Sequence, residues 1–376
     1  MKKLKYLLAC CISIFLMNAC GSGSSKTSAS NAATRYEVDL APAIGREFKI
    51  LVVVNGALTS DKHVQSLKAA LGKPFHLMND SEPTFELEFI ESTDLGEIDK
   101  KNRYIVLLAN SSRNGAIVNL ATKVFTPKSI DEIRTNPKEY MAVANDVWAE
   151  NQVVMYLAAN DKVELSANID KDANKILDYF YNKELQRIKQ NLYATGEQVS
   201  MNKTFLARHK INIRIPQAYN ESVMEIGKDS IMKAAKIDGF EWLNLRARKS
   251  FNNLVISYVK YTDTSLLGLN AVIKHRNRVG RFIPCGAEGS YLGTEINEKM
   301  VAPKQRYIEL NGNYAIETTG WWDCQNFTAG GPFINYAIVD EVNGRVVYVD
   351  AFVYAKGAEK KPYLARLQSI ISTIDF

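Results

Sequence analysis

Three stretches of the chain, residues 48–54 (FKILVVV), 104–109 (YIVLLA) and 153–159 (VVMYLAA), are almost unbroken apolar runs. Such short runs read as strands covered on both faces, so they predict the centre of a buried sheet. Residues 84–91 alternate instead, setting Phe85, Leu87 and Phe89 between Glu86 and Glu88, the period of a strand with one wet face. Val64, Leu67 and Leu71 are spaced for one face of a helix, with Gly72 where a C-cap falls. A longer helix is expected from Ile169 to Gly196, its stripe carrying Ala173, Ile176, Leu177, Phe180, Ile188 and Leu192. Together these predict a mixed sheet with helices, ending near residue 198.

The rest of the chain follows a different pattern. Residues 211–215 read as a short strand stopped by Pro216, and 240–248 with 254–261 as a strand pair. Asn311-Gly312 and Asn343-Gly344 predict two hairpins, because both residue types tolerate the positive φ of a type I′ turn. A helix is expected near 265–274, and a closing one from Pro362 with Leu364, Leu367, Ile370 and Ile371 on one side. The fold class predicted is therefore α+β: a mixed sheet with helices first, then a largely antiparallel sheet with a closing C-terminal helix. This second order of elements is similar, as architecture, to Mog1/PsbP-like modules.

The first residues read as an address. Lys2, Lys3 and Lys5 precede an apolar stretch from Leu7 to Met17, too short to span a bilayer but suited to a secretory leader. Met17-Asn18-Ala19-Cys20-Gly21 resembles a bacterial lipobox, in which the Cys20 thiol receives a diacylglycerol and the leader is cut before it. Residues 21–34 hold five Ser and two Gly and read as a tether with a reach of roughly 20 Å. No Asp follows Cys20, which argues against inner-membrane retention, and no acidic cluster follows it, which argues against surface export. The expectation is a lipid anchor in the outer membrane, facing the periplasm. The organisation predicted is a leader over 1–19, lipidated Cys20 and tether over 20–34, a domain over 35–198 and a second over 199–376.

Composition agrees with two folded domains. The 376 residues are 46% hydrophobic and 23% charged, which excludes disordered, collagenous and polytopic membrane classes. Lys plus Arg, 47, exceeds Asp plus Glu, 41, by six, and three of those lysines lie in the leader. The excess of three that remains gives no electrostatic case for nucleic acid. Of five cysteines, Cys10 and Cys11 leave with the leader and Cys20 is the lipid acceptor. Cys285 and Cys324 remain, as a disulfide or as two buried thiols. Neither has the paired spacing of a zinc site.

Several stretches resemble an uncharacterised lipoprotein family of Bacteroidota, domain of unknown function 4837. They are Trp242 in FEWLNLR, Tyr291-Leu292-Gly293-Thr294-Glu295, Gly330-Gly331-Pro332-Phe333, residues 349–357 (VDAFVYAKG) and residues 361–367 (KPYLARL). The chain departs from that pattern at Ala329, where Met is common. The resemblance implies no known activity, so it assigns no catalytic residue.

No Gly-x-Ser-x-Gly elbow, His-Glu-x-x-His helix, Walker loop or Gly-x-Gly-x-x-Gly turn occurs. Of the histidines, His63 and His209 read as surface residues. Polar and aromatic residues concentrate between 275 and 335. Arg276, Arg278 and Arg281 are suited to an anionic ligand or to a solvated helix C-terminus. Glu288 and Glu295 flank Tyr291, and Trp321, Trp322 and Asp323 follow, ingredients that a glycan-cleaving site also uses. Thr328 to Pro332 reads as a loop where backbone passes close to another segment. The candidate ligand surface is Arg276, Arg278, Arg281, Tyr291, Trp321, Trp322 and Asp323. The function expected is a non-enzymatic binding or structural module of the envelope, without cofactor or metal, whose partners are the membrane and an envelope protein or glycan. The runner-up is a periplasmic glycan or peptidoglycan hydrolase.

Overall fold

In the computed structural model, which describes residues 40–56, 60–78, 82–221, 238–247, 250–286, 288–294 and 302–376, the first apolar runs become one sheet. The leader, Cys20 and the tether lie outside the described residues. The strands are β1 (Lys49–Val54), β2 (Glu86–Glu91), β3 (Tyr104–Leu108), β4 (Met141–Asn145) and β5 (Val153–Leu157). They run in the order β2-β1-β3-β5-β4, parallel throughout except for the edge strand β4. The alternation of side chains divides the strands between two apolar layers. Leu51, Val53, Ile105 and Leu107 meet α2 (Ala116–Val124) and α3 (Pro127–Thr135). Ile50, Val52, Val106 and Leu108 meet α1 (Lys62–Leu71), α4 (Lys162–Lys171) and α5 (Ala173–Tyr193).

Two sequence expectations change here. The helix expected over 169–196 is two helices, because Asp172 ends α4 and begins α5 while its Oδ2 accepts from Tyr140 at 2.9 Å. His63 is not on the surface but fully buried. It shares the face of α1 with Ser66, whose hydroxyl meets that of Ser166 on α4 at 2.7 Å, and Lys162 pairs with Asp61 at 2.8 Å beside it.

After α6 (Val199–His209) the chain is extended. Residues 211–215 make a single bridge, Asn212 to Asp375, rather than a strand, while Ile211, Ile213 and Ile215 are buried. His209 is half-buried against Tyr258. A second sheet contains β6 (Asn220–Glu221), β7 (Asp238–Ala247), β8 (Ser250–Lys260), β9 (Tyr291–Gly293), β10 (Lys304–Leu310), β11 (Asn313–Gln325), β12 (Gly330–Asp340) and β13 (Arg345–Ala355). The order is β10-β11-β12-β13-β8-β7-β6, antiparallel at every step, with β9 added to the end of β11. Asn311 and Gly312, at φ 48 and 83, turn β10 into β11. At the other hairpin only Gly344 is left-handed, and the turn is longer than type I′ because Asp340 Oδ1 accepts from the Asn343 backbone and side-chain amides at 3.0 Å.

One face of this sheet is covered by α7 (Leu269–Gly280) and the other by α8 (Lys361–Ile371), which starts with Pro362 in its first turn. Helices α8 and α5 lie between the two sheets and belong to one apolar core with both. Tyr181 donates to Gln368 at 2.6 Å, Lys361 to the Pro83 carbonyl at 2.6 Å, and Arg366 pairs with Glu47 at 3.0 Å. The stretches 35–198 and 199–376 thus meet through a shared core, and residues 40–376 form one compact unit. Among the described residues no helix is long and apolar enough to cross a membrane.

Candidate functional site

The alternation of β11 decides which of the candidate residues can meet. Trp322 and Cys324 point toward α7 and join Ile273, Val279, Phe333 and Phe352 in one apolar cluster. Trp321 and Asp323 therefore point to the opposite face. They approach Gly330, where a Cβ would meet Trp321 Nε1 at 2.9 Å and Asp323 Oδ1 at 3.4 Å. Tyr291 pairs with Gln325 and is turned away from Leu292, which joins the α7 layer. Arg281 is exposed at the end of α7.

The three arginines also separate. Arg276 is neither solvated nor open to a ligand. It is 1% exposed, its Nε lies 3.0 and 2.9 Å from the two carboxylate oxygens of Asp350, and its guanidinium sits 3.9 Å above the Phe333 ring. Burial lowers the pKa of Arg276 and raises that of Asp350, and their contact opposes both shifts. Its position on α7 explains the burial: Val272, Ile273, Arg276 and Val279 fall on the face against the sheet. Arg278 donates to His275 Nδ1 at 2.9 Å, which leaves Nε2–H to donate to Ser257 at 2.9 Å. His275 stacks on Tyr348 at 4.0 Å, and burial, aided by Arg278, pushes its pKa down to about 3.

What the α7 face does assemble is an aromatic pocket of about 410 Å³. Strands β7, β8, β11 and β13 supply Trp242, Asn253, Trp322, Phe352 and Tyr354; the segment after α7 supplies Ile283 to Gly286, and the β11–β12 turn supplies Phe327 and Ala329. Trp322 stands edge-on to Phe352, with centroids 5.7 Å apart. Cys285 and Cys324 are joined by a disulfide, Cα atoms 5.9 Å apart, which ties the wall after α7 to the end of β11.

Two glycines set the pocket's shape. A Cβ on Gly331 would meet the Val353 carbonyl at 2.1 Å and Trp322 Nε1 at 3.0 Å, so only glycine lets the indole reach that carbonyl, 3.2 Å away. At Gly286, with φ 153, a Cβ would strike the Phe327 ring at 2.5 Å. The stretch expected as a loop up to Pro332 is in fact the start of β12 from Gly330, and its glycines allow close approach between strands.

Among the described residues, the lining contains no carboxylate, imidazole, ammonium or guanidinium group. Glu288 is exposed, Asp323 faces the other side of the sheet, and Glu295 lies outside the described residues. Among the described residues, no group of three or more His, Cys, Asp or Glu is placed to hold a metal ion. Sequence reasoning singled out Trp322 and the two cysteines but missed Trp242, Phe352 and Tyr354 as pocket residues. They come from strands far apart in sequence, and only the register Asn253–Phe352 and Phe352–Phe333 brings them together.

Residues 198–373 match the model of a family described as a domain of unknown function, DUF4837. The pocket, the disulfide and the Arg276–Asp350 pair all lie within that match. Residues 43–193 match a second domain of unknown function, DUF8532. A comparison with curated proteins found no match. Among solved structures, the chain is similar to the Ran-binding protein Mog1p of Saccharomyces cerevisiae, with 10% identity over 44% of this chain and 89% of that one. The TM-score is 0.28, an overlap too loose to bear on function.

Proposed function

We propose that the protein is an envelope lipoprotein, of the Bacteroidota family its sequence resembles, that works as a binding module. Lipidated Cys20 holds it on the periplasmic face of the outer membrane, residues 21–34 act as the tether, and the aromatic pocket receives an envelope ligand. The observation that carries this reading is the pocket's lining among the described residues: two Trp, two Phe and a Tyr around about 410 Å³, with no carboxylate, imidazole, ammonium or guanidinium group. Ligand pockets of this kind are concave and mostly apolar, in the range of roughly 300–1,000 Å³. Hydrolysis of a glycan needs two carboxyl groups flanking the scissile bond, and the described residues of the lining offer neither. Lipidation, location and partner rest on the lipobox and on the residues after it.

Photo-crosslinking in intact cells tests this reading. A benzophenone side chain replacing Phe327, which is 47% exposed and lines the pocket, is expected to capture an adduct. The same side chain at the equally exposed Tyr314, on the β10–β11 hairpin, is expected to capture none. No adduct at 327, or the same adduct at both positions, contradicts it.

A further inference from the structure

The lining among the described residues is mostly apolar, with Asn253 and Tyr354 as its polar side chains beside the two indoles. Trp242 Nε1 donates to Asn253 Oδ1 at 3.0 Å and Trp322 Nε1 to the Val353 carbonyl at 3.2 Å, so both indole N–H groups are satisfied inside the protein. Neither indole offers an open platform, since Trp242 is 8% and Trp322 2% exposed. A sugar ring entering such a space gives up the water on its hydroxyl groups and needs donors and acceptors in return, which unpaired polar groups make costly. A hydrocarbon needs none, and gains from every apolar atom it removes from water. Phe327, the most exposed aromatic of the lining, together with exposed Pro284, adds apolar surface at the solvent side.

We infer that the pocket accepts a hydrocarbon chain, the acyl chain of a fatty acid or lipid, and not a sugar. This rests on the pocket being a binding site. The wall after α7 and the β11–β12 turn close over the chain, and the Cys285–Cys324 disulfide fixes their separation. The Arg276–Asp350 pair packs on Phe333 of the same cluster, stands outside the lining, and takes no part in holding the chain.

The test uses residues 40–376, one compact unit with its own core, so that neither the protein's own acyl groups nor detergent competes. Anilinonaphthalene sulfonate, which reports apolar sites of any kind, is bound first and then displaced by n-alkanoates from hexanoate to tetradecanoate. Each added methylene is expected to tighten binding about fourfold, until the chain fills the pocket and the gain stops. Ala329→Phe, which fills the space, and Phe327→Ala, which removes part of the wall, are each expected to weaken the longest chain by roughly tenfold or more at an unchanged melting temperature. Both positions lie on the β11–β12 turn, away from the core of the sheet. Displacement that does not depend on chain length overturns the inference. Displacement by N-acetylglucosamine oligomers but not by alkanoates also overturns it, and leaves the binding reading standing. Failure of the dye to bind at all defeats both.

Discussion

Removing Arg276 leaves the Asp350 carboxylate buried without its cation, so Arg276→Met is expected to destabilise the protein by about 3–5 kcal/mol in chemical denaturation. A loss below about 1 kcal/mol would mean that the pair is solvated. His275 titrates with a definite sign. Its pKa falls from 6.5 to about 3 on folding, so the stability gained by keeping it neutral is complete above pH 6.5 and is lost as pH falls toward 3. Between those limits His275 adds a slope of up to about 1.4 kcal/mol per pH unit, which His275→Gln should remove. His63, buried in α1 with its pKa also lowered by burial, acts with the same sign, so the variant flattens the profile without abolishing it. Sequence placed Arg276, Arg278 and Arg281 together by spacing alone. Their different fates follow from α7's rotation against the sheet, which needs Asp350, 74 residues away, to be known.

Among the elements, the strands of the first sheet are easier to read from sequence than the pocket, which the second sheet builds. The runs in β1, β3 and β5 were readable because both faces are buried, so nearly every position is apolar. Strand β4 was not, since its residues are half-buried at a sheet edge and MAVAN carries no strong pattern. The Asn-Gly signal placed both hairpins, but the type I′ geometry held only at Asn311-Gly312; at Asn343-Gly344 a side chain of the preceding strand takes over the turn. The disulfide is the element-scale device most open to measurement. It closes a separation of 39 residues, and Cys285→Ser with Cys324→Ser is expected to cost roughly 2–4 kcal/mol. Equal unfolding midpoints with and without reductant would count against a stabilising bond.

At the scale of the molecule, the change of pattern near residue 198 marks where one sheet gives way to another, but the two sheets do not stand apart. Ile176 and Phe180 of α5 share a core with Leu364, Leu367 and Ile371 of α8 and with Ile334 and Val349 of the second sheet. That packing was hidden because an apolar stripe says that a helix is covered and not by what. Residues 35–198 and 199–376 expressed separately should each expose half of that core, bind anilinonaphthalene sulfonate and lack a cooperative unfolding transition. A cooperative transition in either fragment would contradict the shared core. Native mass spectrometry of the protein extracted from its own membranes tests whether the pocket is a binding site. A noncovalently bound small molecule is expected on the wild type and is expected to be lost in Ala329→Phe. A wild type that carries nothing, or the same adduct on both proteins, would contradict it.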